Sequence, residues 1–188
     1  MTTRYRIWEF IRYGILRFFT NIWRFRRELY NHQWWDYHYT LEMIHRSLSI
    51  MVVKLEKDGI EENISRGKKV AKIKRAIQLL DNRLNDTYIE QAEAEFGKLH
   101  LKPLESEDLG NGTSRLLDTN TKEENEHNKR VFKLASTIDD REWRELWNIF
   151  KGQSILDYEK YFKTIPKEEQ ADGWNNWYNG SDMRGWWD

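Results

Sequence analysis

Apolar side chains recur at helical spacing from the start of the chain. Over residues 5–30, Ile7, Ile11, Ile15, Phe18, Ile22, Phe25 and Leu29 are separated by three or four positions, which places all seven on one helical stripe. Gly14 interrupts this helix at a cost of about 1 kcal/mol relative to Ala. A second stripe, Tyr37, Leu41, Ile44, Leu48, Met51 and Leu55, follows Asp36, whose carboxylate suits an N-cap. Asp58-Gly59 supplies its stop signal, with Gly59 expected in the left-handed conformation. A third helix is expected from Ser65 to Gly97, with Val70, Ile73, Ile77, Leu80, Leu84 and Tyr88 as its stripe. The matching heptad-like seams of helices two and three predict an antiparallel hairpin, although they could also pair between two copies.

From Pro103 to Glu126 the period disappears. Glu105, Glu107, Asp108, Asp118, Glu123, Glu124 and Glu126 face only Arg115 and Lys122, a net charge of −5, and Gly110 to Ser114 has loop composition. Such a segment is expected to be a mobile acidic loop, because it buries too little apolar area to offset its ordering entropy. Short helices follow. One begins around Val131, Leu134 and Ala135. Another is capped by Asp139 or Asp140, carries Trp143, Leu146, Trp147 and Phe150, and ends at Gly152. A third holds Tyr158, Tyr161 and Phe162 and stops before Pro166. The expected fold is therefore mostly α: one domain over 1–188, with three long helices in a bundle, an acidic loop at 103–126, and short C-terminal helices packed back on helix one.

Composition sharpens this picture. The 31 basic and 31 acidic residues cancel, which gives no bulk reason for nucleic-acid binding. The absence of cysteine excludes thiolate catalysis, Cys-ligated zinc, iron–sulfur clusters and disulfides. A mean hydropathy of −0.90 would suit a disordered chain, yet 14% of the residues are aromatic. The ten Trp are polarised: Trp8, Trp23, Trp34 and Trp35 near the start, and Trp143, Trp147, Trp174, Trp177, Trp186 and Trp187 near the end. Head and tail are therefore expected to pack together, with Trp186 and Trp187 as structural residues. Arg4, Arg6, Glu9, Arg12, Arg17 and Arg24 break every apolar run long enough for a signal peptide, so an intracellular location is expected.

The run Trp23-Arg24-Phe25-Arg26-Arg27-Glu28-Leu29-Tyr30-Asn31-His32-Gln33-Trp34-Trp35-Asp36-Tyr37, together with the terminal Gly185-Trp186-Trp187-Asp188, resembles a recurrent group of proteins encoded by large tailed bacteriophages. The matching segments cover roughly residues 5–96 and the last dozen, and the acidic stretch at 103–128 departs from the pattern. The resemblance implies a phage origin and a host-cytoplasmic setting. It transfers no activity and no catalytic residue.

Candidate chemistry is sparse. Glu42-x-x-His45 and Glu124-x-x-His127 have the spacing of di-iron carboxylate sites, but such sites need inward-facing Glu from two further helices. These pairs, and a His38, Glu42 and His45 cluster, read as solvated polar side chains. Ser65-x-x-Lys68 lacks the companion motifs of a serine acylase, and no phosphate-binding glycine loop occurs. No cofactor or metal is therefore expected. The residues best suited to a ligand or partner are Arg24, Arg27, Trp34 and Trp35, where Arg can grip an anion and indole can stack on a planar ring. Lys68, Lys72 and Arg75 form a basic ridge that could meet phosphates. Helix one, whose first thirty residues hold seven Arg against Glu9 and Glu28, also has the character of an interfacial helix. Its stripe is accounted for if the tail covers it. The expected function is a non-enzymatic interaction with a host or viral protein, with nucleotide capture as the alternative.

Overall fold

The computed structural model describes residue 8 and residues 10–59, 63–103, 105–110 and 112–186. The stripe position Ile7 and the structural assignment of Trp187 lie outside the described residues. Seven α-helices and one small hairpin make up the described chain: α1 Leu16–Asn31, α2 Tyr37–Asp58, α3 Asn63–Leu84, α4 Tyr88–Phe96, β1 Glu105–Asp108, β2 Ser114–Leu117, α5 Lys122–Lys151, α6 Ile155–Thr164 and α7 Gly173–Trp177. The protein is mostly α-helical. Its contacts separate into two compact units, one made of the chain up to Leu84 together with Ile149 onward, the other of Asn85–Asn148.

In the first unit the α2–α3 hairpin carries the core. Asp36 caps α2 as expected, its Oδ1 accepting from the His38 backbone N–H at 2.9 Å. Leu41, Leu48, Val52 and Leu55 of α2 and Ile73, Ala76, Leu79 and Leu80 of α3 are buried. Apart from the adjacent pair Leu79-Leu80, these positions step by three, four or seven, so each helix turns one face to the seam. Burying each large aliphatic chain contributes about 1.5–3 kcal/mol. Antiparallel pairing is marked at both ends: Lys74 Nζ lies 2.6 Å from Glu56 Oε1, and His45 Nε2 lies 2.9 Å from Asp81 Oδ1. Gly59 ends α2 in an extended conformation (φ −64°), not the left-handed one expected; its carbonyl accepts from Arg66 Nη1 at 2.7 Å. Glycine is needed there because a Cβ would meet the Leu55 carbonyl and the Arg66 side chain.

The third expected helix is two. The chain leaves α3 at Leu84, passes through Asp86 with φ +48°, and begins α4 at Tyr88. Asn85-Asp86 tolerates that conformation and marks the break that the apolar period alone ran through.

α1 continues from a π-helical turn at Phe10–Ile15 that contains Gly14. The tail does not cover it. No residue of α1 is buried, and Ile11, Ile15, Phe18, Ile22 and Leu29 of the stripe are all exposed; Phe25 and Glu28 alone on this helix reach half-burial. The tail instead docks on α3. Lys68 Nζ donates to the Tyr178 carbonyl at 2.9 Å and to the Asn175 carbonyl, while Ser65 Oγ donates to Asn175 Oδ1 at 3.1 Å. Gly180 (φ +86°) lies flat against the Lys68 carbonyl, an approach that any Cβ would block. Trp186 is 1% exposed; its Nε1 donates to the Gly180 carbonyl at 2.8 Å and its ring meets Phe150 edge-on. Tyr158, Trp174, Trp177 and Tyr178 stack beside this turn with ring centroids 5.1–5.6 Å apart. The tail is thus structural, but its partner is α3.

The second unit packs α4 on α5 through Tyr88, Ala92, Val131, Ala135 and Ile138. The acidic stretch expected to be a loop contains a small β-hairpin. Glu105–Asp108 pairs antiparallel with Ser114–Leu117, Glu107 opposite Arg115, around a turn in which Asp108 Oδ1 accepts from Gly110 N–H at 2.9 Å. The two short helices expected after residue 128 are one helix of 30 residues, α5. Its buried positions run Asn128, Val131, Ala135, Ile138, Glu142, Leu146 and Ile149 without a break. Asp139 and Asp140 therefore cap nothing, and Trp143 and Trp147 lie on the exposed side. The expected end at Gly152 holds: φ is +70° there, and the Asp182 backbone packs against the missing side chain.

Candidate functional site

Among the described residues, a run of uncovered apolar side chains lies on α1. Leu16, Phe18, Phe19, Ile22 and Trp23 are each 40–68% exposed within two turns, and Tyr30 reaches 91%. Contiguous apolar exposure of this kind is rare on a surface with no partner. Arg residues are interleaved with it. Arg26 Cζ sits 4.2 Å from the Trp23 ring centroid and its Nη1 donates to the Trp23 carbonyl at 2.7 Å; Arg12 lies 4.9 Å from the Trp8 ring. These cation–π contacts hold the indoles splayed on the surface, where a partner can meet ring and charge together.

At the α1–α2 corner Trp34 and Trp35 meet edge-on at 5.7 Å and are 85% and 67% exposed. The sequence favours a folded corner here, with Asp36 capping α2 and both indoles filling core; the cap forms, but the indoles stay exposed. α1 leans on α2 through Phe25 and through Arg46, whose Nε donates to the Arg24 carbonyl at 3.2 Å and stands 4.0 Å from Glu28 Oε1.

Two concavities flank that contact, both within the first unit. One, of about 370 Å³, has apolar walls of Phe25, Ile50, Met51, Leu55 and Trp186. Arg24, Lys54 and Asp58 line it from exposed positions. The other, of about 280 Å³, is polar and is lined by Arg27, Glu28, Glu42, His45 and Arg46 among others. Arg24 and Arg27 thus serve different cavities, and Trp34 and Trp35 line neither. The expected constellation of two Arg and two Trp is not gathered into one pocket.

No family model, curated protein or solved structure matches the chain.

The basic ridge is largely committed to structure. Lys68 straps the tail carbonyls, Arg75 Nη1 donates to Gln78 Oε1 at 2.7 Å, and Lys72 is half-buried. The Glu-x-x-His pairs are likewise occupied. His38 lies 3.7 Å from Glu42, and His45 approaches Asp81 without hydrogen-bond alignment. Glu124 forms a capping box with Thr121: its Oε2 accepts from Thr121 N–H at 2.7 Å, and Thr121 Oγ1 accepts from Glu124 N–H at 3.2 Å. The Lys102 ammonium, 2.7 Å away, and the Thr121 N–H pull the Glu124 carboxyl down to about 2. The signal Thr121-x-x-Glu124 was present in the sequence and marks the start of α5. His127 Nε2 is 3.0 Å from the Lys98 carbonyl, and the Asn128 amide pairs twice, at 2.9 Å, with the backbone of His100. Among the described residues no group of three His, Asp or Glu is placed to hold a metal ion, and no helix is long and apolar enough to cross a membrane.

Proposed function

We propose that this is a non-enzymatic binding protein of phage origin that engages a host or viral protein in the host cytoplasm through the outer face of α1. The carrying observation is the block of Leu16, Phe18, Phe19, Ile22 and Trp23, uncovered and interleaved with Arg12 and Arg26. Aromatic residues and Arg are the types that dominate binding energy at protein interfaces, because they bring large apolar area and directional polar contacts with little conformational freedom to lose. The helix would act as a presented helix, its apolar anchors at i, i+3, i+4 and i+7 entering a partner's groove. A second copy of the chain is one such partner. An anionic lipid surface would also attract the Arg residues, but an interfacial helix keeps its cations on the face opposite its apolar one, whereas here Arg26 rides on Trp23 within it.

The test is reconstitution from purified components. A single partner should bind the full chain at fixed stoichiometry, and Phe19→Ser with Trp23→Ser should weaken binding at least a hundredfold. A variant that binds as tightly as the parent would refute this face as the interface. Sedimentation velocity on the same pair of proteins reports whether the partner is a second copy.

A further inference from the structure

We propose that the cavity between α1 and α2, walled at its end by Trp186, is a binding site for an amphipathic monoanion, a carboxylate carrying an alkyl or aryl body. Its volume of about 370 Å³ falls in the range of small-molecule sites, which bury most of their ligand among apolar walls with a few polar groups to orient it. The walls suit an apolar body. Phe25 supplies a ring, Ile50, Met51 and Leu55 supply one continuous aliphatic strip along α2, and the flexible Met51 thioether adapts to chains of different shape. Trp186 makes the far wall rigid, because its ring is fixed by the bond to the Gly180 carbonyl and by Phe150.

The polar groups specify the headgroup. Arg24 and Lys54 line the cavity from α1 and α2, and among the described residues neither side chain has a carboxylate within ion-pair distance. Asp58 lines the same cavity, so the charge of its described lining is +1. That balance fits one carboxylate held between a planar guanidinium and an ammonium. It does not fit a nucleotide, whose several phosphate charges would face Asp58 with two cations to neutralise them. This site is independent of the outer face of α1: Phe25 and Arg24 turn toward α2, whereas Phe19 and Trp23 turn away.

Titration calorimetry of decanoate into the full chain tests the proposal, with decanol as the uncharged control. One decanoate per chain should bind saturably. Arg24→Gln and Lys54→Gln should each weaken it about tenfold, the loss expected for removing a charge-assisted contact. Decanol should bind more weakly than decanoate. Met51→Trp, which fills the cavity, should abolish binding while Phe19→Ser leaves it unchanged. If Met51→Trp lowers the melting temperature, Ser47→Leu fills the cavity from its half-buried rim and serves in its place. Absence of binding, non-saturable uptake, or uptake lost with Phe19→Ser and kept in the cavity-filled variant would overturn the proposal, the last by locating the ligand on the outer face of α1.

Discussion

Helices α1 and α2 both carry an apolar stripe and are opposite in fate. α2 buries Leu41, Leu48, Val52 and Leu55 against α3, while α1, with Phe18, Ile22, Phe25 and Leu29 on its stripe, buries nothing. The difference lies in what faces each helix. α3 answers α2 with Ile73, Ala76, Leu79 and Leu80 at matching intervals, and the small Ala76 lets the backbones approach. α1 meets its neighbour through Phe25 and the Arg46 contacts, and the tail that might have covered it is held on α3 by Ser65 and Lys68. A stripe thus reveals that a helix wants a partner. It does not reveal whether the partner belongs to the same chain.

Substitutions can break this contrast in order of size. Leu80→Ala, in the fully buried seam, should destabilise the protein by about 2–5 kcal/mol in denaturant unfolding. A smaller loss would mean that the hairpin is not the core. Lys68→Met should come next. It leaves the Asn175 and Tyr178 carbonyls without their donor, and about 1–3 kcal/mol should be lost, with amide exchange accelerating first at residues 173–186. Unchanged exchange there would place the tail elsewhere. Asp36→Ala should cost about 1 kcal/mol through loss of the α2 cap.

The smallest effect is a titration in the second unit. The Glu124 carboxyl is held at about 2, below its ordinary 4.5, chiefly by the Lys102 ammonium and then by the Thr121 N–H. Because the folded value is the lower one, the stabilisation is complete above pH 4.5 and is lost as pH falls from there toward 2. Carbon-detected NMR should give a midpoint near 2, and Lys102→Met should raise it; an ordinary midpoint in the parent would remove the ion pair from the account.

The helices were legible where periodicity and punctuation agreed. Asp36 starts α2 through its cap and Gly152 ends α5 at a positive φ; Gly59 ends α2 where expected, though through close approach to Leu55 and Arg66 rather than a left-handed turn. Where a polar residue occupies a buried position the reading failed: Glu142 continues the stripe of α5, so the Asp139–Glu142 run looked like a helix start when it lies mid-helix. The 105–117 hairpin was illegible for a different reason. Its strands are exposed on both faces except at Leu117, so no alternation marks them, and only backbone pairing and the Asp108–Gly110 turn define them. The candidate site was legible in residue type and not in placement. Arg24 does line a cavity, yet its apolar partners are Phe25, Met51 and Trp186 rather than Trp34 and Trp35. Residues 27 and 162 positions apart in sequence had no local signal to join them to Arg24.

The most direct test is the thermal unfolding of the Phe19→Ser, Trp23→Ser double variant beside the parent. Both side chains lie in the open, so the melting temperature should stay within about 2 °C. A fall of about 10 °C or more, as two large buried aromatics would cause, would show that the outer face of α1 is packed inside the fold and contradict the account at its centre.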